Sequence, residues 1–333
     1  VTLTIDDRCK NLVQDLQLGQ PEDVTNVVPL TGGVASDIAR FDLNGQTLCA
    51  KFALEKLKVV EDWTAPLHRN AAEYAWLQFA AETYPQGAVK LFGRSQTQHG
   101  FAMEFVDGPD VYLWKAALLA SAPDKGEAAQ VGRFLGMLQA ASARPDFDRG
   151  AFNNRDDFRA LRIEPYLTFT AGRHPDLEAP LNDLAEMLYQ ADQVLVHGDV
   201  SPKNIMFRAS DPIFLDAECA TMGDASFDPA FCLNHLVLKA FHLPDSRETL
   251  LTNIESFWGA YVPSLDFGNP SEIERRITRL LPALMLARID GKSPVEYLSD
   301  DNRCHVRAVA VGLIESPEDR ISQLLTRLRD SFL

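Results

Sequence analysis

Asp199, Asn204 and Asp216 stand five and twelve residues apart, within His197-Gly198-Asp199-Val200-Ser201-Pro202-Lys203-Asn204 and the apolar runs Ile205-Met206-Phe207 and Ile213-Phe214-Leu215 that follow. One acid free to take a proton, beside an amide oxygen and a carboxylate that can hold Mg²⁺, is the set that kinase-type phosphoryl transfer uses. Mg²⁺ takes about six hard oxygen ligands and keeps several waters, so Asn204, Asp216 and phosphate oxygens suit it. The flanking runs say how the set is positioned. Gln193 to Val196 ends in a His-Gly turn, and the turn-rich Arg208-Ala209-Ser210-Asp211-Pro212 separates two β-prone runs, which predicts strand, polar loop and hairpin. The loop projects Asp199 and Asn204 toward one point, and the hairpin's second strand returns Asp216 beside them. Glu218, two residues on and so on the same strand face, joins the candidate metal ligands. An ion-paired or solvated glutamate is the plainer alternative.

At these residues the chain resembles the aminoglycoside phosphotransferase and choline kinase superfamily, whose catalytic loop reads His-Gly-Asp-x-x-x-x-Asn. Leu215-Asp216-Ala217-Glu218, Gly223-Asp224 and Phe227-Asp228 are similar to its metal-binding strand and the helix start after it. Methylthioribose kinases, in the same group, also carry Asp-x-Glu here. The resemblance implies an α+β, two-lobed protein-kinase-like fold with an antiparallel-sheet N-terminal lobe and a mainly helical C-terminal lobe, and it implies ATP and Mg²⁺ as cofactors. The metal strand has no Asp-Phe-Gly and no Ala-Pro-Glu follows, which argues against a protein substrate. Asp266-Phe267-Gly268 lies far past the loop and is read as coincidence.

Composition bounds what surrounds this loop. At 333 residues and 46% hydrophobic, the chain can bury two modest cores and is short for three. Five cysteines without Cys-x-x-Cys spacing indicate neither a disulfide framework nor a zinc site. No run of 18 apolar residues and no signal-peptide core is found, so a cytoplasmic protein without a membrane partner is expected. A net charge of −15 with no cationic cluster argues against nucleic acid as a partner. It also means that local cations must recruit an anionic nucleotide.

The first third supplies candidates. Leu30-Thr31-Gly32-Gly33-Val34-Ala35-Ser36 sits between strand-like runs, and its glycines would let backbone N–H groups approach phosphates, with Gly32, Gly33 and Ser36 as the binding residues. An ordinary glycine hairpin reads the same. Lys51 lies alone in the apolar Leu48-Cys49-Ala50-Lys51-Phe52-Ala53, and a lysine there is expected to meet an anion. The resemblance matches it to the strand lysine on the nucleotide phosphates and pairs it with a helix glutamate. His68 to Tyr84 has helical character and carries Glu73, with Glu82 as the rival. Val89 to Gly93 and Gly100 to Val106 read as strands ending at a Gly-Pro turn, where the resemblance places a hinge that binds adenine through the backbone of Glu104 and Val106. That gives a nucleotide-binding lobe over 1–106 and a catalytic and substrate lobe over 107–333.

Beyond the hinge the pattern turns helical: 111–120, 125–143, 154–172, 231–241, 250–261, 271–287 and 306–332 are the predicted helices. Arg288, Asp290 and Lys292 crowd a Gly-Pro turn after one of them, and are candidate contacts to a polar acceptor such as a sugar, polyol or amino alcohol. A helix C-terminus stabilised by cations needs no ligand and gives the same sequence. Trp63, Arg69, Trp114, Lys115, Arg162, Glu164 and Tyr166 are further wall candidates. His197 is expected to brace the loop, Asp228 to cap its helix or tie the loop down, and Lys203 to reach the transferred phosphate or face water. An ATP-dependent small-molecule kinase is the reading that joins these residues. An aminoglycoside O-phosphotransferase and a non-catalytic nucleotide-binding pseudokinase are the alternatives, and the oligomeric state stays open.

Overall fold

In the computed structural model, which describes residues 3–30, 36–54 and 66–333, the first of two units, Val1–Val111, is built on an antiparallel sheet. Strands β1 (Val24–Leu30), β2 (Ser36–Leu43), β3 (Gln46–Ala53), β4 (Leu91–Ser95) and β5 (Gly100–Glu104) pair in the order β1-β2-β3-β5-β4. Asn44 and Gly45 join β2 to β3 with φ of 51° and 81°, the mirror-image turn whose twist matches that of the strands. Central β3 is buried from Leu48 to Ala53. Helix α1 (Ile5–Asp15) lays Cys9, Leu12 and Val13 on Phe41, Leu43, Ala50 and Phe52, and α2 (Arg69–Thr83) buries Ala72, Glu73, Trp76, Leu77 and Ala80.

The second unit, Tyr112–Leu333, is mainly helical. Its short strands β6 (Val111–Leu113), β7 (Val194–Val196), β8 (Ile205–Arg208), β9 (Asp211–Phe214) and β10 (Thr221–Gly223) form two small sheets, β6-β8-β9 and β10-β7. Around them lie α3 (Trp114–Leu119), α4 (Glu127–Ser142), α5 (Arg155–Phe158), α6 (Phe169–Ala171), α7 (Glu178–Gln190), α8 (Phe227–His242), α9 (Arg247–Tyr261), α10 (Pro270–Asp290), α11 (Asp300–Glu315) and α12 (Ile321–Asp330). Between α5 and α6 the chain is π-wound over Arg159–Thr168 and contains Pro165, which has no N–H to give to a regular ladder. Every residue of α8 from Phe227 to Phe241 is buried, so this helix lies in the core and takes Asp228, Asn234, His235 and Lys239 into it. The two units together are the α+β, protein-kinase-like architecture: an antiparallel sheet in the first and helices in the second.

Several elements differ from the sequence reading. Strand β9 ends at Phe214, so Asp216 and Glu218 follow it in irregular backbone and not on a strand face, and 154–172, read as one helix, is α5, the π-wound segment and α6. Residues 111–120 open as β6 before α3 begins, and 306–332 is two helices because Pro317 excludes its predecessor Ser316 from helical backbone. Neither α1 nor α7 was expected. The charged Asp6, Asp7 and Arg8 hide α1, although Asp7 forms a capping box with Thr4 and Arg8 pairs with Asp37 and lies over the Phe52 ring. Among the described residues no helix is long and apolar enough to cross a membrane.

Candidate active site

Strand β7 ends at Val196, opposite Thr221 of β10, and delivers the chain into the loop from His197 to Asn204. The loop is held from beneath by the start of α8. The Asp228 carboxylate accepts the backbone N–H groups of His197 at 2.7 Å and Gly198 at 2.9 Å. Burial pushes this carboxyl up to about 7, while the two amide donors work in the opposite direction. Gly198 has φ of 83°, and a Cβ there would stand 2.7 Å from the Cβ of Cys219, so both its backbone and its surroundings require glycine. The Asp199 N–H donates to Nδ1 of His197 at 3.1 Å. Burial pushes that imidazole down to about 4, leaving it a neutral acceptor that braces the loop.

Asp199 is 4% exposed and surrounded by donors. Its Oδ2 lies 3.0 Å from Nη2 of Arg162 and 3.1 Å from Nζ of Lys203, and its Oδ1 accepts the Ser201 hydroxyl at 3.1 Å. Burial alone would raise its carboxyl; Lys203 and Arg162 overcome that and hold it well below the usual carboxylate range. Arg162 belongs to the π-wound segment and also donates through Nε to the Gly198 carbonyl, so one guanidinium fixes both the backbone and the acid of the loop.

The next three candidates follow from the hairpin. Ile205 of β8 pairs with Phe214 of β9, and the Leu215 N–H donates to the Asn204 carbonyl at 2.9 Å, which carries Asp216 back alongside Asn204. The Asn204 amide nitrogen is committed to the Asp199 carbonyl at 3.1 Å, so its side-chain oxygen remains the acceptor. Asp216 has φ of 70°. Aspartate tolerates this left-handed backbone better than most residues, and such conformations gather at functional sites. Glu218, 8% exposed, follows two positions on. These are hard oxygen donors, the type that Mg²⁺ takes.

In the first unit, Lys51 of β3 meets Glu73 of α2 at 2.7 Å, and their side chains are 3% and 2% exposed. Glu82 is exposed. Ser36 is buried at the start of β2. The Glu104 carboxylate accepts the Lys90 N–H at 2.8 Å, and Val106 is buried just beyond β5. Arg69 is buried, and its guanidinium donates to the carbonyls of Leu54 and Pro66. Gly32, Gly33 and Trp63 lie outside the described residues.

Asp199 opens on a cavity of about 220 Å³ that lies wholly in the second unit and is lined by Lys115, Tyr166, Lys203, His235, Lys239 and Arg288, among others. Arg288 reaches it from the end of α10. Asp290 and Lys292 are not among the lining residues: Asp290 takes Arg307 at 2.7 Å and His174 at 2.9 Å, and Lys292 sits over the Phe169 ring. Asp266-Phe267-Gly268 lies in the loop before α10.

Sequence reasoning missed the loop-holding part of Arg162, for which no local motif exists. It also missed Lys239, although the signal was present: a lone lysine in the apolar run Phe231 to Phe241, the same cue that marked Lys51.

Residues 27–287 match the model of a family described as "Phosphotransferase enzyme family". No curated protein matches. Among solved structures, a choline/ethanolamine kinase family protein from Mesorhizobium loti is similar at 17% identity, covering 97% of this chain and 98% of that one, with a TM-score of 0.55. The amicoumacin kinase hAmiN, in complex with AMP-PNP, Ca²⁺ and Ami, aligns at 13% identity over 92% of each chain with a TM-score of 0.56. An aminoglycoside phosphotransferase from Alicyclobacillus acidocaldarius aligns at 14% identity over 99% of this chain and 96% of that one, with a TM-score of 0.52. At these identities the likeness is one of fold.

Proposed function

The chain belongs to the phosphotransferase enzyme family, and from that premise we propose that it transfers the γ-phosphoryl group of ATP to a hydroxyl of a small polar molecule, with Asp199 as catalytic base. The observation that carries the reading is that Asp199, fixed by Arg162 and Lys203, lines a cavity of about 220 Å³. A choline/ethanolamine kinase family protein and an aminoglycoside phosphotransferase share this fold, and choline, ethanolamine and aminoglycosides all carry hydroxyl groups.

ATP with its magnesium ion supplies the phosphoryl group and the countercharge that its transfer needs. Asn204 through its side-chain oxygen, Asp216 and Glu218 would hold the metal. Gly32, Gly33, Ser36 and Lys51 would take the phosphates, with Glu73 keeping Lys51 extended, and the backbone of Glu104 and Val106 would take the base. Asp199 orients the acceptor O–H and receives its proton. Two neighbouring cations make Asp199 a weak base, which suits a loose transition state in which the proton leaves late and positioning does most of the work. Arg288 lines the acceptor side.

Acceptor-dependent ADP release from ATP and Mg²⁺, measured across hydroxyl-bearing metabolites, tests the reading. Asp199→Asn should lower kcat by about 10²- to 10⁴-fold and leave ATP affinity nearly unchanged. Wild-type turnover in that variant would remove Asp199 from the chemistry. Asp216→Ala should abolish the magnesium dependence of ATP binding; an unchanged magnesium titration would place the metal elsewhere.

A further inference from the structure

The cavity beside Asp199 is lined by four cations, Lys115, Lys203, Lys239 and Arg288, and two carboxylates, Asp199 and Glu296. Both carboxylates are taken: Lys203 lies 3.1 Å from Asp199 and Lys115 lies 2.6 Å from Glu296. Lys239 and Arg288 remain. Lys239 is 1% exposed, and its ammonium has only the carbonyl of His235, on its own helix, at 3.4 Å, with the Tyr297 ring centroid at 5.1 Å. Arg288 holds the carbonyl and hydroxyl of Ser293 and the Tyr166 hydroxyl. Its Nε is buried with no hydrogen-bond partner, and so is the hydroxyl of Tyr297. Among the described residues, no carboxylate forms an ion pair with Lys239 or Arg288.

A buried charge without a countercharge, and buried donors without acceptors, are costly. Two such cations and two such donors on one cavity, in a chain of net charge −15, form an anion seat. Resting on the phosphotransfer reading of Asp199, we infer that the acceptor is a small hydroxylated acid whose oxyanion, a carboxylate or a phosphate, is seated against Arg288 and Lys239 with its hydroxyl at Asp199. The oxyanion accepts the Arg288 Nε–H and the Tyr297 O–H as well as charge. A volume of about 220 Å³ lies below the roughly 300–1,000 Å³ of drug-sized ligand sites, which selects a compact metabolite over a multi-ring antibiotic. Burial and the neighbouring Lys115 lower the Lys239 ammonium to about 7, so it is ready to regain its proton when an anion arrives.

The test compares ADP release for acceptors matched in carbon skeleton, one member carrying a carboxylate or phosphate, one neutral and one an amine. The acid should have a kcat/KM at least tenfold above both partners. Arg288→Gln and Lys239→Met should each lower that value tenfold or more for the acid, and by a clearly smaller factor for the neutral member. A neutral or amine member used as well as its acid would overturn the inference. Arg288→Gln also removes a brace on the Ser293 turn, so Lys239→Met, which keeps the apolar stem, is the decisive variant. Calorimetric titration of the wild type with acetate and with inorganic phosphate, without nucleotide, reads the seat apart from turnover and tells a carboxylate site from a phosphate site. Binding that both variants weaken supports the seat, and binding that neither variant changes overturns it. If the seat binds anions but no acceptor is phosphorylated, the anion site stands and the phosphotransfer reading falls.

Discussion

The two ends of α8 carry buried ionisable groups under opposite conditions. Near its start, Asp228 is 0% exposed and both of its oxygens are used, each accepting a backbone N–H of the loop from His197 to Asn204. Near its end, Lys239 is buried as deeply and is offered one long hydrogen bond from its own helix. Residues 228, 231, 235 and 239 are spaced three and four apart, so they share one helix face. One stripe therefore runs from the brace of the loop to the wall of the cavity. The contrast separates two uses of a buried charge: a group whose hydrogen bonds are complete holds structure, and a group left incomplete is held for a ligand.

Breaking the completed end should have the largest effect. Asp228→Ala leaves two buried amide donors unsatisfied, at about 1–3 kcal/mol each, and frees a loop whose placement matters at the ångström level, where misplacement can cost about 100-fold. A fall in both Tm and kcat is expected, checked by thermal melting and ADP release. A variant with normal kcat and a lowered Tm would confine Asp228 to folding.

Arg162→Leu should act next. Asp199 must be ionised to accept a proton, and with both cations present its carboxyl lies well below the usual range, so wild-type kcat should show no acid limb near pH 5. Losing one cation raises that carboxyl while Lys203 still holds it down, so any acid limb should lie at higher pH than in the wild type. Arg162→Lys should reverse part of that shift. A profile that keeps its shape while falling uniformly would mean that the guanidinium positions backbone only.

The incomplete end should respond with the opposite sign. Lys239→Met removes an uncompensated buried ammonium, so Tm near pH 7 should hold or rise, unlike Asp228→Ala. The pH dependence sharpens this. The folded-state value of Lys239 is about 7 against an ordinary 10.5, so in between the unfolded chain binds the extra proton and wild-type stability rises with pH across that window. The Met variant should lack this part of the slope. The groups facing Lys239 from other elements are Lys115 of α3, Arg288 of α10, and Glu296 and Tyr297 of the following turn. An identical slope in both proteins would place Lys239's proton elsewhere.

The loop from His197 to Asn204 and the return of Asp216 were legible in the sequence because both are local: strand, turn and hairpin fix them within about twenty residues of chain. Lys51 and Glu73 were legible as a pair because one stands alone in an apolar strand and the other on an apolar helix face. What holds Asp199 was not legible. Arg162 reaches it from 37 residues upstream, through a π-wound segment that propensity does not announce. The turn after α10 was half legible: Arg288 lines the cavity, whereas the neighbouring Asp290 is claimed by Arg307 of α11, a tertiary partner that local charge patterning cannot supply. Helix α1 shows the reverse failure, since charges read as interruptions were a cap and a tertiary ion pair: Asp7 caps with Thr4 and Arg8 meets Asp37.

The close approach of Gly198 to Cys219 also makes the thiol a timer for the active-site loop. Cys219 is 2% exposed and burial pushes its thiol up to about 12, so at pH 8 it should resist alkylation while the loop lies on it. Each labelling event then records one lifting of Gly198 from the Cys219 backbone. In a Cys304→Ser background, which removes the one exposed thiol among the described residues, the labelling rate of Cys219 becomes a clock for local opening. Occupancy of the cavity should slow it, and loss of the Asp228 brace should make it run fast.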